Sequence, residues 1–80
     1  MLKETRIENA RRDLFEVGRY LGAAMYNLDK AKRKMFEYSA DKEKVEFWEL
    51  ISKFWEGEIA RWEKLAADIE AAAIIDLETD

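Results

Sequence analysis

Hydrophobic side chains recur at alternating three- and four-residue steps through most of this chain, and no proline interrupts them. Ile7, Leu14, Leu21, Leu28 and Met35 fill one row, while Ala10, Val17, Ala24, Ala31 and Tyr38 fill a second. That spacing brings both rows onto one side of an α-helix, as in a coiled-coil seam. It predicts a first helix over about 2–38. The pattern then restarts with different residues. Val45, Ser52, Ile59, Ala66 and Ala73 form one row, Trp48, Trp55, Trp62 and Ile69 the other, with Glu49, Glu56, Glu63 and Glu70 beside them. A second helix is predicted over about 42–75.

Residues 39–41, Ser-Ala-Asp, form the predicted turn. Ser39 or Asp41 can cap the second helix by accepting a backbone N–H. The turn holds neither Gly nor Pro, so local signals alone allow a kink as well as a reversal. Long-range complementarity argues for reversal. Folding the chain back on itself at the turn sets Trp48 against Ala31, Trp55 against Ala24, Trp62 against Val17 and Ile69 against Ala10. Leu28 then meets Ser52, and Leu14 meets Ala66. Large faces small in nearly every layer, which fills space without overpacking. Leu21 against Ile59 and Met35 against Val45 are the large-on-large layers. The expected fold is therefore all-α: one domain, residues 1–80, built as a hairpin of two long antiparallel helices.

Each helix has more apolar surface than one seam requires. Phe15, Gly18, Gly22, Met25 and Phe36 lie beside the first seam, and Phe47, Ile51, Phe54 and Leu65 beside the second. Burying one such large side chain contributes roughly 1.5–3 kcal/mol, and contiguous exposed apolar patches mark interfaces. Gly18 and Gly22 each cost about 1 kcal/mol relative to Ala within a helix. They make a shallow notch that admits either another helix or a side chain of the same hairpin. The two stripes fall on opposite edges of a simple seam. Either partners cover both edges or the helices are rotated. A homodimeric four-helix bundle is the most economical cover.

Catalytic chemistry has little to work with. The chain has no Cys and no His, which removes thiolate nucleophiles, the commonest general base and Cys/His zinc sites. The tryptophan row reads as core rather than as a stacking platform for a cofactor. Neither a catalytic residue, a cofactor nor a small-molecule substrate is expected. The stretch Trp55-Glu56-Gly57-Glu58-Ile59-Ala60-Arg61-Trp62-Glu63-Lys64-Leu65, with Asp29 seven residues before Phe36 in the first helix, resembles the metal-binding helices of ferritin-like and rubrerythrin proteins. The resemblance implies a bundle. Arg61 stands where the His ligand would be, and a protonated guanidinium does not ligate metal. What it implies is a relative that kept the bundle without a working metal site.

Charge divides unevenly. Residues 1–38 carry nine Lys/Arg against six Asp/Glu, and residues 39–80 five against twelve. Opposite signs attract when the helices lie side by side. The basic run Lys30-Ala31-Lys32-Arg33-Lys34, with Arg12, Arg19, Tyr26 and Arg33 along one face, offers an alternative: phosphate and base contact in a nucleic-acid-binding regulator. A solvated face fits an acidic pI of about 4.9 better. Charged residues make up 40% of the chain, so no transmembrane span is expected. No apolar run follows a basic start, and a cytoplasmic location is the expectation. The sequence thus points to a non-enzymatic protein–protein interaction or assembly module, such as an adaptor, an inhibitor or a small subunit. Its expected partner is another copy, another protein, or both.

Overall fold

The computed structural model describes residues 3–78 and contains two α-helices, α1 (Lys3–Glu37) and α2 (Lys42–Glu78), packed against each other as a hairpin. Leu2, where the first helix was expected to begin, lies outside the described residues. α2 runs three residues past its predicted end. No Gly or Pro stops it there, and Asp76 accepts two hydrogen bonds from the Arg6 guanidinium at 3.2 Å, tying its last turn to the first turn of α1.

The reversal uses ordinary residues. Ser39 N–H donates to the Phe36 carbonyl at 3.2 Å and Asp41 N–H to the Tyr38 carbonyl at 2.8 Å. No described residue has a positive φ, which is why the turn dispenses with glycine. Asp41 is the cap: its carboxylate accepts from Lys44 N–H at 3.2 Å, and its carbonyl accepts the first helical bond, from Val45 N–H at 3.0 Å. Glu43 then places negative charge in the first turn, where the helix dipole favours it. Tyr38 lies in the turn rather than in α1, with Lys44 Nζ 4.5 Å and Lys34 Nζ 5.7 Å from its ring centre.

The seam holds the smallest side chains most tightly. Ala31 is 0% exposed, and Ala24, Val17 and Ser52 are also buried. Leu14, Leu21, Leu28, Trp48, Trp55, Ile59, Trp62 and Ile69 are half-buried around them. Among the described residues no large side chain is fully enclosed. Two helices can close over an alanine, but a tryptophan always reaches past the line of contact.

Side-chain contacts across the seam are displaced from level pairing. Ser52 Oγ lies 3.5 Å from Met35 Sδ, one heptad nearer the turn than the predicted Leu28 layer. Tyr20 stacks on Trp62, which the predicted layers set against Val17. The cause is the lean of every helical side chain toward its own N-terminus. In an antiparallel pair the two leans are opposed, so Met35 and Tyr20 each meet an α2 residue farther from the turn than the predicted level partner.

The molecule is a rod of 61 × 15 × 14 Å with a radius of gyration of 17.9 Å, against about 12 Å for a compact chain of this length. Among the described residues, no helix is long and apolar enough to cross a membrane.

Candidate protein interaction surfaces

Two hollows along the seam define the edges of the rod. In the first, Tyr20 and Leu65 lie with Val17, Trp62 and Ile69. In the second, Lys32 and Met35 lie with Glu49, Ser52 and Glu56. Leu65 shares a helical row with Ile51, beside Phe47 and Phe54. Lys32 shares a row with Gly18 and Met25, beside Phe15 and Gly22. The positions flanking a seam fall on its two sides, so the apolar stripe of α2 occupies the first edge and that of α1 the second.

The α2 edge is an aromatic ridge. Phe47 packs edge-on to Trp48, with ring centres 5.2 Å apart, and Phe54 packs likewise on Trp55 at 5.0 Å. One heptad further, Arg61 takes the equivalent place, 5.7 Å from the Trp62 ring centre. Tyr20 crosses from α1 to lie flat on Trp62, with centres 4.9 Å apart and planes within 12°. These contacts hold the outer rings in place while leaving Phe47 and Phe54 more than half exposed. Ile51 is half-buried beneath them and Leu65 is exposed.

The α1 edge is flatter and notched. Phe36 is 85% exposed and Phe15 68%, with Met25 between them also exposed. A Cβ added at Gly18 or Gly22 would meet no atom within 4 Å. The glycines therefore make room for nothing within this hairpin. Neither Trp62 nor any neighbour enters the notch.

Comparison with protein-family models, curated proteins and solved structures returns no match. The surfaces stand on their own chemistry.

The remaining candidates are placed as follows. Arg61 pairs with Glu58 on its own helix, and no group of three or more potential metal-ligating side chains is found among the described residues. On the basic face, Arg33 pairs with Asp29 at 2.8 Å and Lys34 with Glu37 at 3.4 Å. Arg12 lies 3.9 Å from Asp13. Tyr26, 70% exposed, stands between Arg19 and Arg33, but much of the surrounding positive charge is neutralised within α1. Glu49 and Lys53 pair one turn apart on α2 at 3.5 Å.

Several exposed apolar residues escape the heptad reading. Tyr20 falls outside both rows, so the periodicity that marked the seam could not flag it. Leu50 lies between Phe47 and Phe54 at helical spacing and extends the ridge. Ile74, Ile75 and Leu77 lie in the part of α2 that includes its extension beyond Ile75; all three are exposed.

Proposed function

We propose that this chain is a non-enzymatic assembly module, a helical hairpin that works by docking its two apolar edges against protein, first of all another copy of itself. One observation carries the reading. Among the described residues the hairpin encloses no large side chain, while twelve large hydrophobic side chains are exposed. At roughly 1.5–3 kcal/mol for each full burial, covering even a few of them rivals the whole stability of a small domain, about 5–15 kcal/mol.

Area supports the same conclusion. The accessible surface is 6351 Å², where a compact protein of this mass shows about 5,000 Å². The excess of about 1,300 Å² exceeds the roughly 800 Å² that each partner contributes to a stable interface. Two hairpins laid together give four helices around a shared core, in which the half-buried tryptophans become interior. Adaptor, inhibitor and small-subunit roles all use this one property.

Light scattering across a dilution series tests the reading. The expected result is a mass of at least twice the chain mass that falls on dilution. A cooperatively folded monomer at every concentration overturns self-association.

A further inference from the structure

We infer that two copies of this chain pair through the ridge edge, like edge to like edge, with their turns at opposite ends. This rests on the self-association proposed above and specifies its geometry. In such a symmetric joint α1 lies along the partner's α1 and α2 along the partner's α2, each pair antiparallel.

The charge of this edge changes sign along the rod. The half nearer the turn carries Lys30, Lys34 and Lys44 against Glu37. The far half carries Asp13, Glu16 and Asp68 against Arg6. Asp13 and Glu16 line the hollow with Tyr20 and Leu65, and the others follow at heptad spacing on the same side of the seam. Turns at opposite ends set the basic half of each copy against the acidic half of the other. Turns at the same end set each half against its like, with Asp13 level with the partner's Asp68.

The order of residues along the edge fits one register. With the two-fold axis between Tyr20 and Ala23, Lys30 falls opposite the partner's Asp13, and Glu16 opposite the partner's Asn27. On α2 the axis falls between Glu58 and Arg61 and sets these opposite charges against each other twice. Phe47 then meets the partner's Ala72 and Phe54 the partner's Leu65, as Tyr20 meets the partner's Ala23. Each exposed ring thus faces a smaller side chain. Ile51 opposite Asp68 and Lys44 opposite Ile75 gain nothing, but no layer opposes like charges. Sliding one heptad either way sets Arg6 against Lys30 or Asp13 against Glu37. The two midpoints stand close to level within the hairpin, since Tyr20 stacks on Trp62, next to Arg61. One axis therefore serves both helices.

Some of these charges are already engaged: Lys34 pairs with Glu37, Arg61 with Glu58 and Asp68 with Lys64. Lys30 and Glu16 have no ion pair within the described residues, and Asp13 has only Arg12 at 3.9 Å. Lys30 opposite Asp13 is accordingly the pair on which the direction of the joint turns. The joint closes at two copies and leaves both notched edges outward.

Charge reversal and a distance test this arrangement. Lys30→Glu sets a carboxylate against the partner's Asp13, twice by symmetry, and Asp13→Lys sets two ammonium groups together. Each should raise the dimer dissociation constant roughly tenfold or more in sedimentation, and the double variant Asp13→Lys/Lys30→Glu should return to within about threefold of the wild type. With turns at the same end, Asp13→Lys would instead face Asp68 and tighten the dimer. These positions are exposed, and circular dichroism checks that each variant keeps its helices. The chain has no Cys, so Ser39→Cys carries a single spin label in the exposed turn. Turns at opposite ends hold the two labels roughly 50 Å apart at 1.5 Å per residue, whereas turns at the same end bring them within roughly 25 Å. Phe54→Lys, which puts an ammonium on the ridge, should be monomeric. A dimer with the short distance, one that survives Phe54→Lys unchanged, or single charge variants that pair like the wild type overturn this joint while self-association stands. A wild type that never assembles overturns both.

Discussion

Ala31, Ala24 and Val17 are the residues on which the two helices close, and Ser52 is the matching small residue on α2. Their burial sets how near the helix axes approach, and the larger seam residues pack around the line they define. Ala31 is the extreme case, fully enclosed with a half-buried tryptophan row opposite. Ala31→Leu exchanges one good helix former for another, so any effect reports packing. Overpacking a closed site costs about 1–3 kcal/mol, and denaturant titration should show a loss in that range. An unchanged midpoint would mean the seam can open by a side-chain width without penalty. Ser52 fits the same logic, since its hydroxyl is satisfied by Met35 Sδ at 3.5 Å and, among the described residues, no buried side-chain N or O atom lacks a partner. Tyr20 is the residue that heptad reading could not place. It sits just off the seam, and only the opposed lean of the side chains brings its ring onto Trp62.

The helices themselves are set by local chemistry that can be altered without touching the seam. Asp41 holds the start of α2 by accepting from Lys44 N–H. Asp41→Ala should cost about 1 kcal/mol, as lost N-caps do, with Asp41→Asn retaining most of the stability. Equal losses for both would show that the carboxylate's charge, acting on the helix dipole, matters more than its hydrogen bond. Gly57 tests the opposite case. It is exposed in mid-α2, and an added Cβ meets nothing within 4 Å, so Gly57→Ala should raise stability by about 1 kcal/mol, read as a higher thermal midpoint. These elements were largely legible from spacing. Both helices and the turn follow from periodicity and from the absence of breakers. Less legible were the end of α2, because no residue after Ile75 signals a stop, and the contact partners across the seam, because heptad position fixes the side a residue faces but not how far its side chain leans along the axis. The state of the glycine notch was also undecided by sequence. Gly18 and Gly22 read equally well as room for Trp62 or for a second chain, and only the positions of the neighbouring atoms show that the hairpin leaves the notch open.

At the scale of the whole molecule, the rod is short of core rather than short of helix. Its ion pairs lie on the surface and are worth little individually: exposed pairs such as Asp29–Arg33 and Lys64–Asp68 contribute about 0.2–1 kcal/mol each. Among the described residues the seam buries only small ones. Stability of the folded state should therefore depend on how much assembled partner is present, by mass action. For two chains that fold and associate together, a tenfold rise in concentration is worth about 1.4 kcal/mol per pair, which moves the midpoint of a unit of some 160 residues by roughly 3–6 °C. Thermal melts of the wild type over two decades of concentration should show a steady climb of that size, whereas Phe54→Lys, its ridge blocked, should melt at one temperature throughout. The two slopes divide the stability between hairpin and assembly. A flat wild-type line would place all of it within the single chain, and the twelve exposed hydrophobic side chains would then have to be tolerated in water rather than used.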